Sequence, residues 1–481
     1  MKRDSTAIRC CEATLLAEVE CARARRPVSA PPPPLRLATF NVENLFARWK
    51  FREGVERFGG YMTTSQDRHL TECEQAFGRA VEAGELVDLR AGDAEVDDPA
   101  SGAEWGRERT VGSDLLYELL TRREPMPRAV VLRGARISGG LNLEAATLAC
   151  PLILDDCFFG GPVNLREARA EVIRLTGCRL PCLAADQLET RGDLDLSGSI
   201  AAIISLTGAH VGGDFGLNGA TLTGGSWPLD LAGATLVPPR GDAATGDGRP
   251  KKLALAAHGL RVGGGMFCQE GFAAQGEVGL VGAHVVGQLS FSGATLSNEG
   301  GVALSADGLR VDGSMFCRGL AAQGEVLLAG AHVVGQLDFS GAKLGNKGGA
   351  ALSADGLRVD GGMFCEEGFA AQGEVLLAGA HVGVQLSFNG ATLANPGGIA
   401  LNLYEVEVPG SLWLRFAAPP EGTVDLTSAR VGALYDSEGT WPGTLGLRGF
   451  TYDHLEADPQ VSSKGRLRWL DRDAKGYAPQ P

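Results

Sequence analysis

The sequence predicts a mainly β fold, a right-handed β-helix of about 24 residues per coil with a small N-terminal helical cap. Three observations lead to this prediction. One segment occurs three times in nearly the same wording, beginning at Gly259, Gly308 and Gly356. Inside it, small and apolar residues alternate with polar ones in short runs, which is typical of strands. Glycine supplies 69 of the 481 residues, about twice its usual share, as a chain with tight corners requires.

Each long repeat contains two smaller units, one from Val302 (VALSADGLRVDGSMFC) and one from Val326 (VLLAGAHVVGQLDFSGAKL). In both units the apolar positions advance by two, with a slip of one residue at each corner. A strand with two or three inward residues cannot bury its face alone, so successive coils must stack about 4.8 Å apart. Weaker copies extend the pattern, and we expect the β-helix to cover residues 128–447 in about 13 coils.

The two ends of the chain differ from this body. Residues 66–127 predict a helical cap, because Thr71 and Glu74 have the spacing of a capping box and an apolar helix begins at Ser113. Residues 448–481 form a C-terminal tail that we expect to be truncated. Because an uncovered coil exposes unpaired backbone, we expect end-to-end association into dimers or aggregates unless this tail folds back.

Charge is unevenly distributed along the chain. Residues 1–65 form a basic, Pro-rich segment that we expect to be disordered, whereas the whole chain has a net charge of −14. An acidic body argues against binding nucleic acid, because phosphates attract cations. The sequence contains no apolar run of the roughly 18 residues that a membrane helix needs and no secretory signal. We therefore expect a cytoplasmic protein, with peripheral membrane association as an alternative.

Histidines recur with the long repeat, at His284, His332 and His381. A metal site is one interpretation of such a column. Equivalent positions lie two coils apart, however, which is about 9.6 Å, whereas zinc holds its nitrogen ligands about 2.0–2.1 Å away. We therefore expect an outward, solvated column that binds no metal.

Cysteines and glutamates recur in the same way. The sequence has an odd number of cysteines and no C-x-x-C pair, so we expect free thiols rather than a disulfide framework. Cys268, Cys317 and Cys365 are predicted to be small buried residues, with Cys317 aligned to the inward Phe339. A third column is expected on a solvated outer face, where it could bind a cationic partner: Glu277, Glu325 and Glu374.

A short N-terminal stretch carries an unrelated motif. LATFNVENLF at residues 37–46 resembles the first strand of the endonuclease/exonuclease/phosphatase superfamily. The resemblance implies a metal–phosphate site at Asn41, with Glu43 nearby. Metal-assisted hydrolysis also needs a further Glu and a His-Asp set, which have no counterpart in this sequence. We therefore expect a nuclease-like remnant, with an active metal-dependent nuclease or phosphatase as a disfavoured alternative.

The repeats of this sequence resemble those of two groups of repeat proteins. GAHVVGQLDFSGAKL contains pieces of the A-x-L-x-x motif of pentapeptide-repeat proteins, such as Ala342-x-Leu344, but the five-residue period is not sustained. Some members of that family imitate DNA with an acidic face. Residues 251–400 carry only 12 acidic residues against 8 basic ones, which disfavours DNA mimicry.

A second resemblance covers about residues 70–481. The GLRVDGSMFC and GAHVVGQLDFSGA repeats and the closing RLRWL stretch are similar to actinobacterial proteins often labelled membrane-associated oxidoreductases. The resemblance implies a redox activity, and it implies helical and membrane-type segments beyond Pro481. It transfers no catalytic residue to this sequence.

These observations favour a non-enzymatic β-helical scaffold that presents a flat, repetitive surface to a protein partner. We expect no catalytic residue and no cofactor. The alternative is a fragment of a membrane-associated oxidoreductase-like protein, for which a bound flavin or nicotinamide would be the sign.

Overall fold

Parallel strands stack along nearly the whole described chain. The computed structural model describes residues 70–124, 126–226, 229–231, 234–236, 252–456 and 461–473. Over these ranges the chain is a β-solenoid of about 14 turns, which confirms the predicted fold class. The basic segment of residues 1–65 lies outside the described residues.

Two helices precede the first complete coils. Helix α1 (Glu72–Ala83) begins with the predicted capping box, in which the backbone N–H of Glu74 donates to the Thr71 hydroxyl at 3.1 Å. The Glu74 carboxylate accepts from the backbone N–H of Thr71 and, through its other oxygen, from that of Gly112. Gly112 directly precedes helix α2 (Ser113–Thr121). One buried carboxylate therefore joins the beginnings of both helices, and their apolar faces share a core with the first coils.

Two long parallel sheets form the walls of the solenoid. The strands of the first sheet are Val87–Asp88, Val130–Arg133, Leu152–Asp155, Arg169–Ala170, Ile173–Thr176, Glu189–Thr190, Leu194–Asp195, His210–Val211, Phe215–Gly216, Arg261–Val262, Met266–Phe267, His284–Val285, Leu289–Ser290, Arg310–Val311, Met315–Phe316, His332–Val333, Leu337–Asp338, Arg358–Val359, Met363–Phe364, His381–Val382, Gln385–Ser387, Glu407–Leu414, Arg430–Asp436 and Thr451–Glu456. This sheet therefore begins upstream of residue 128 and continues past residue 447, the limits expected from the repeats.

The second sheet is built from the remaining sides of the coils. Its strands are Thr110–Gly112, Arg136–Ser138, Leu141–Asn142, Phe158–Phe159, Val163–Asn164, Arg179–Ala184, Ile200–Ser205, Thr221–Leu222, Gly225–Ser226, Lys252–Ala256, Ala273–Gln275, Glu277–Gly279, Thr295–Ser305, Ala321–Leu327, Lys343–Ser353, Ala370–Leu376, Thr392–Asn402, Glu421–Asp425 and Thr444–Gly446. Its pairings are parallel except that Gly225–Ser226 runs antiparallel to Lys252–Ala256. A separate antiparallel pair joins Leu229–Leu231 to Ala234–Leu236. The long strands, such as Lys343–Ser353, occur in every second coil and break register with their shorter neighbours.

Each coil has four short sides, and each side buries one pair of side chains. In the coil around residues 309–328 these pairs are Leu309 and Val311, Met315 and Cys317, Leu320 and Ala322, and Val326 and Leu328. No member of these pairs is more than 2% exposed. The residue between the two members of a pair points away from the core, because side chains alternate along a strand.

The inward pairs are spaced more regularly than the repeat pattern indicates. Buried pairs occur at 168/170, 173/175, 178/180, 183/185 and 188/190, so that the inward positions advance by five residues per side. The next pair, at 194/196, follows after one extra residue. In this stretch the five-residue period thus lasts for one full coil, whereas in GAHVVGQLDFSGAKL the step from Ala331 to Leu337 is six residues, as expected. A single extra residue at one corner is what conceals the period in the sequence.

Glycines occupy that corner where successive coils come closest. Gly287, Gly313, Gly335 and Gly361 follow one another in consecutive coils. A Cβ added to Gly361 would lie 2.5 Å from the carbonyl oxygen of Gly335, and one added to Gly313 would lie 2.6 Å from that of Gly287. A side chain at these four positions would therefore meet the backbone of the preceding coil. The next coil differs, because Val384 occupies this corner and Gly383 precedes it.

Large and small side chains alternate from coil to coil inside the solenoid. One inward column follows the order Cys268, Phe291, Cys317, Phe339, Cys365 and Phe388. Within this column, each ring therefore has a thiol next to it instead of a second ring. Such alternation fills a core at uniform density, and it confirms the predicted burial and alignment of Cys317.

The C-terminal tail folds back over the last coil. Helix α3 (Ser463–Leu470) buries the indole of Trp469, which is 5% exposed. After this helix in the chain, Asp473 forms a parallel β-bridge with Leu445. The guanidinium of Arg466 donates to both carboxylate oxygens of the buried Asp436, at 2.5 and 3.0 Å. The tail thus meets the condition under which the sequence predicts no end-to-end association.

We predict that Trp469→Ala will cause concentration-dependent association. Removing the indole detaches α3 and exposes the end of the second sheet, whose unpaired backbone groups can then pair with another chain. Sedimentation velocity over a wide concentration range measures this change. Leu467→Ala is the control, because Leu467 lies on the same helix but is 61% exposed. A Trp469→Ala protein that stays monomeric would contradict the capping role of the tail.

Candidate binding surface

A column of arginines and histidines runs along the first sheet. Its members pair in register from coil to coil: His210, Arg261, His284, Arg310, His332, Arg358 and His381. Each lies between two inward residues, as Arg310 does between Leu309 and Val311, so its side chain points outward. Neighbouring members are about 4.8 Å apart. We call this set the Arg/His column.

The sequence pattern identified only the histidines of this column. The histidines were found because they recur once per long repeat, and one long repeat corresponds to two coils in the structure. The arginines occupy the intervening coils. The signal that could have found them is the shared context of GLRV and GAHV, in which one polar residue separates a small or apolar residue from an inward valine.

Hydrogen bonds link members of the column across coils. Nε2 of His284 donates to Asp312 at 2.8 Å, and Asp312 also pairs with Arg310 of its own coil at 2.7 Å. Arg310 in turn donates to Nδ1 of His332 at 3.0 Å. Nε2 of His332 then donates to Asp360 at 3.0 Å. The imidazoles point outward as expected, but they are partners in an ordered chain rather than simply solvated.

The carboxylates of this chain are held in their charged form. The hydrogen bond from His284 lowers the pKa of Asp312, and the positive charge of Arg310 adds to the effect. His332 and Arg358 lower the pKa of Asp360 in the same way. Because these carboxyls bind protons more weakly in the folded chain than in the unfolded chain, their pairs stabilise the fold above about pH 4. That stabilisation disappears as the pH falls through the lowered folded-state pKa.

We predict that Asp312→Asn combined with Asp360→Asn will lower stability at neutral pH and will have progressively less effect in acid. The measurement is the free energy of unfolding in urea, taken between neutral pH and pH values below the lowered pKa. The wild-type protein and the variant should differ at neutral pH and converge as the carboxyls of the wild type become protonated. A difference that is independent of pH would mean that the substitutions act through packing instead.

The three histidines are separated by one intervening coil, so their rings do not converge. Within the described ranges, no group of three His, Cys, Asp or Glu side chains is arranged to hold a metal ion. Each imidazole of the pair His284 and His332 is instead committed to a carboxylate.

The recurring cysteines lie inside the solenoid. Cys268, Cys317 and Cys365 are fully buried, and burial raises the pKa of all three thiols. Because the thiolate is the reactive form of cysteine, these positions are unsuited to thiol chemistry. The eight cysteines in the described ranges are free thiols.

The recurring glutamates do not form a solvated column, so that expectation is wrong. Glu277 is 2% exposed. Glu325 is half-buried and accepts a hydrogen bond from the Ser353 hydroxyl at 2.6 Å. The physical reason is that the longer strand of the next coil, Lys343–Ser353, passes beside Glu325 and covers it.

A second outward column on the first sheet contains aromatic rings, and the sequence pattern did not identify it. In consecutive coils the order is Phe267, Ser290, Phe316, Asp338, Phe364, Ser387, Trp413 and Tyr435. We call the five rings of this set the aromatic column. The available signal was the M-F-C triplet, in which an inward Met and an inward Cys leave the Phe facing outward.

A groove of 980 Å³ lies beside the N-terminal continuation of the Arg/His column. Its walls include Arg169, Glu189 and His210. Arg169 pairs with Glu189 at 2.9 Å, but both side chains are more than half exposed. Exposed pairs of this kind contribute little binding or stability, so the groove has no preorganised polar centre.

The remaining sequence predictions fall elsewhere. Asn41 and Glu43 lie outside the described residues. None of the helices in the described ranges is long and apolar enough to cross a membrane.

No protein-family model matches the chain, and a search of curated proteins finds no match. The resemblances to repeat proteins and to oxidoreductase-labelled proteins therefore stay predictions.

Proposed function

We propose that this chain is a non-enzymatic β-solenoid scaffold whose Arg/His column binds a protein partner. The hydrogen-bonded chain from His284 to Asp360 is the observation that carries the proposal. It holds guanidinium groups that are about half exposed in fixed positions at the surface. Arginine is enriched at protein interfaces, and a side chain that is already ordered loses little conformational entropy on binding.

Exposed valines beside this column support a protein partner. Val286 and Val334, which are 48% and 37% exposed, lie two residues after His284 and His332. In the coils that contain Arg310 and Arg358, the residue two positions later is an aspartate, Asp312 or Asp360. The surface therefore alternates an apolar side chain with an ion pair, which is the mixed composition of transient protein interfaces. A partner with apolar side chains and carboxylates would match it.

The test compares proteins captured from the source cells by three immobilised chains. These are the wild type, Arg310→Gln combined with Arg358→Gln, and Lys343→Gln as a control on the second sheet. We expect a partner retained by the wild type and by the control, and at least about tenfold less by the double variant, which corresponds to about 1.4 kcal/mol. Equal capture by all three chains would refute the column as the docking surface.

The two other functions expected from resemblance need separate measurements. Native mass spectrometry and an absorbance scan of the protein purified from its own cells would reveal a flavin or nicotinamide. Mg²⁺-dependent DNA cleavage that is abolished by Asn41→Ala would support a nuclease. Either result would replace the scaffold proposal.

A further inference from the structure

The aromatic column has a regular spacing. Phe267, Phe316, Phe364 and Trp413 occur in every second coil, with one small polar residue in the coil between each pair. Because neighbouring coils are about 4.8 Å apart, successive rings are about 9.6 Å apart. Four rings therefore form a straight row about 29 Å long.

Two of the rings, Phe267 and Phe364, lie along the surface instead of projecting from it. A Cβ added to Gly265 would lie 2.6 Å from Cζ of Phe267, and one added to Gly362 would lie 2.6 Å from Cζ of Phe364. The rings of Phe267 and Phe364 thus rest over a glycine two residues earlier in the chain. The equivalent residue is Ser314 before Phe316, and it is Ser411 before Trp413, where its hydroxyl accepts from Nε1 of the indole at 3.1 Å. All four rings are half-buried. A ring held in this way offers a flat platform, and its position is fixed before any ligand binds.

Polar side chains occupy the spaces between the platforms. After Phe267, Gln269 accepts a hydrogen bond from the buried Ser290 at 2.9 Å. After Phe316, Nε of Arg318 donates to the buried Asp338 at 2.5 Å. The amide of Gln269 and the guanidinium of Arg318 retain further N–H donors for a ligand.

The last space is built differently, because the residue two after Phe364 is Glu366, whose carboxylate accepts a hydrogen bond from the buried Ser387 hydroxyl. The exposed Asn389 lies between Phe364 and Trp413 and supplies another amide donor. Trp413 stacks on Tyr435 with ring centroids 4.1 Å apart and an interplanar angle of 6°. Each space between platforms thus contains at least one hydrogen-bond donor, and the row ends on a double ring.

We propose that the aromatic column binds a proline-rich segment of a partner protein in the polyproline II conformation. That helix has three residues per turn and rises about 3.1 Å per residue, so equivalent residues recur about every 9.3 Å. The repeat matches the spacing of the platforms to within a few tenths of an ångström. A proline at every third position would meet one ring each time.

The hydrogen-bonding needs of such a segment also match the surface. A polyproline II helix makes no internal hydrogen bonds, so its carbonyl oxygens need donors from the protein. Gln269, Arg318 and Asn389 supply them between the platforms. Aromatic residues that line a surface are the usual receptors for this conformation.

Charge favours this occupant over a nucleic acid. Arg318 pairs with Asp338 at 2.5 Å, and Arg415 and Glu366 cancel in number, so these four side chains carry no net positive charge. Phosphates would need an excess of positive charge, whereas a proline-rich segment needs none. The proposal concerns a different surface from the Arg/His column and goes beyond the scaffold function assigned to that column.

The test uses a synthetic peptide of four Pro-Pro-Ala triplets, one for each platform about 9.3 Å apart. Binding to the full chain is measured by calorimetry and by the fluorescence of the protein. We expect binding that weakens when the peptide is shortened to two triplets. Phe267→Leu combined with Phe364→Leu should weaken it at least about tenfold, because two stacking platforms are lost. Leucine preserves the packing, and an unchanged circular dichroism spectrum verifies the fold.

Two variants control this experiment. Phe364→Trp retains a platform and should bind the peptide at least as well as the wild type. Arg310→Gln combined with Arg358→Gln alters only the Arg/His column and should bind the peptide normally, which separates this proposal from the proposed function. No binding of the long peptide, equal binding by the double Leu variant, or tighter binding of cellohexaose or single-stranded DNA would overturn the proposal.

Discussion

Replacing Gly361 with alanine is expected to destabilise the solenoid by about 1–3 kcal/mol, the usual cost of forcing an extra group into a packed structure. The new Cβ would lie 2.5 Å from the carbonyl oxygen and 2.9 Å from the carbonyl carbon of Gly335. Both atoms belong to the backbone of the preceding coil. They can move only if the two coils separate, which would lengthen the hydrogen bonds that join the coils.

Amide hydrogen exchange in the native state is the measurement that resolves this effect. The stability of stacked repeats is roughly a sum of local terms, so protection should fall most in the coils that contain Gly335 and Gly361. Gly345→Ala is the matched control, because its Cβ would have no neighbour closer than the Ala322 carbonyl oxygen at 3.9 Å. We expect the control to stay within about 0.5 kcal/mol of the wild type. Equal loss in both variants would show that coil spacing is not the cause.

Phe339→Ala is expected to cost about 3–5 kcal/mol, as is usual when a buried phenylalanine is truncated. The ring is fully buried and packs against Phe369 with an edge-to-face geometry at 6.4 Å between centroids. Its neighbours in the same column are Cys317 and Cys365, which are too small to fill the space that it would leave. The cavity would therefore remain open.

Urea denaturation and hydrogen exchange both measure this loss. Phe339→Leu fills most of the same volume and should cost less than about 1.5 kcal/mol. Phe316→Ala, one coil away but outward-facing and half-buried, should cost less than Phe339→Ala. If the two alanine variants were equally unstable, the assignment of inward and outward columns would be wrong.

The features that depend on short-range pattern were predictable from the sequence. The capping box of Thr71 and Glu74 involves two residues of one helical turn, and the structure contains it. The burial of Cys317 followed from its parity with Val311 and Met315 within one strand pattern. Such features are specified by their immediate neighbours in the chain, so no knowledge of the stacking is needed.

The features that depend on the stacking register were not predictable in the same way. The Arg/His column joins residues such as His284 and Arg310, which belong to units of different sequence. The burial of Glu325 depends on the longer strand of the next coil. The sequence does not indicate which side chains of the preceding coil this longer strand will cover. The aromatic column was missed for the same reason as the arginines, because its platforms become a row only when the coils are superimposed.

The alternation of large and small residues also restricts how the chain can change its length in evolution. Removing residues 308–355 would join Asp307 to Gly356 and restore the same SADGLRVD wording at the junction. Every column would then keep its order. Removing a single coil would instead bring His284 next to His332 and Phe291 next to Phe339. Duplications and deletions in this solenoid are therefore expected to survive in units of two coils, so related chains should differ in length by multiples of that unit.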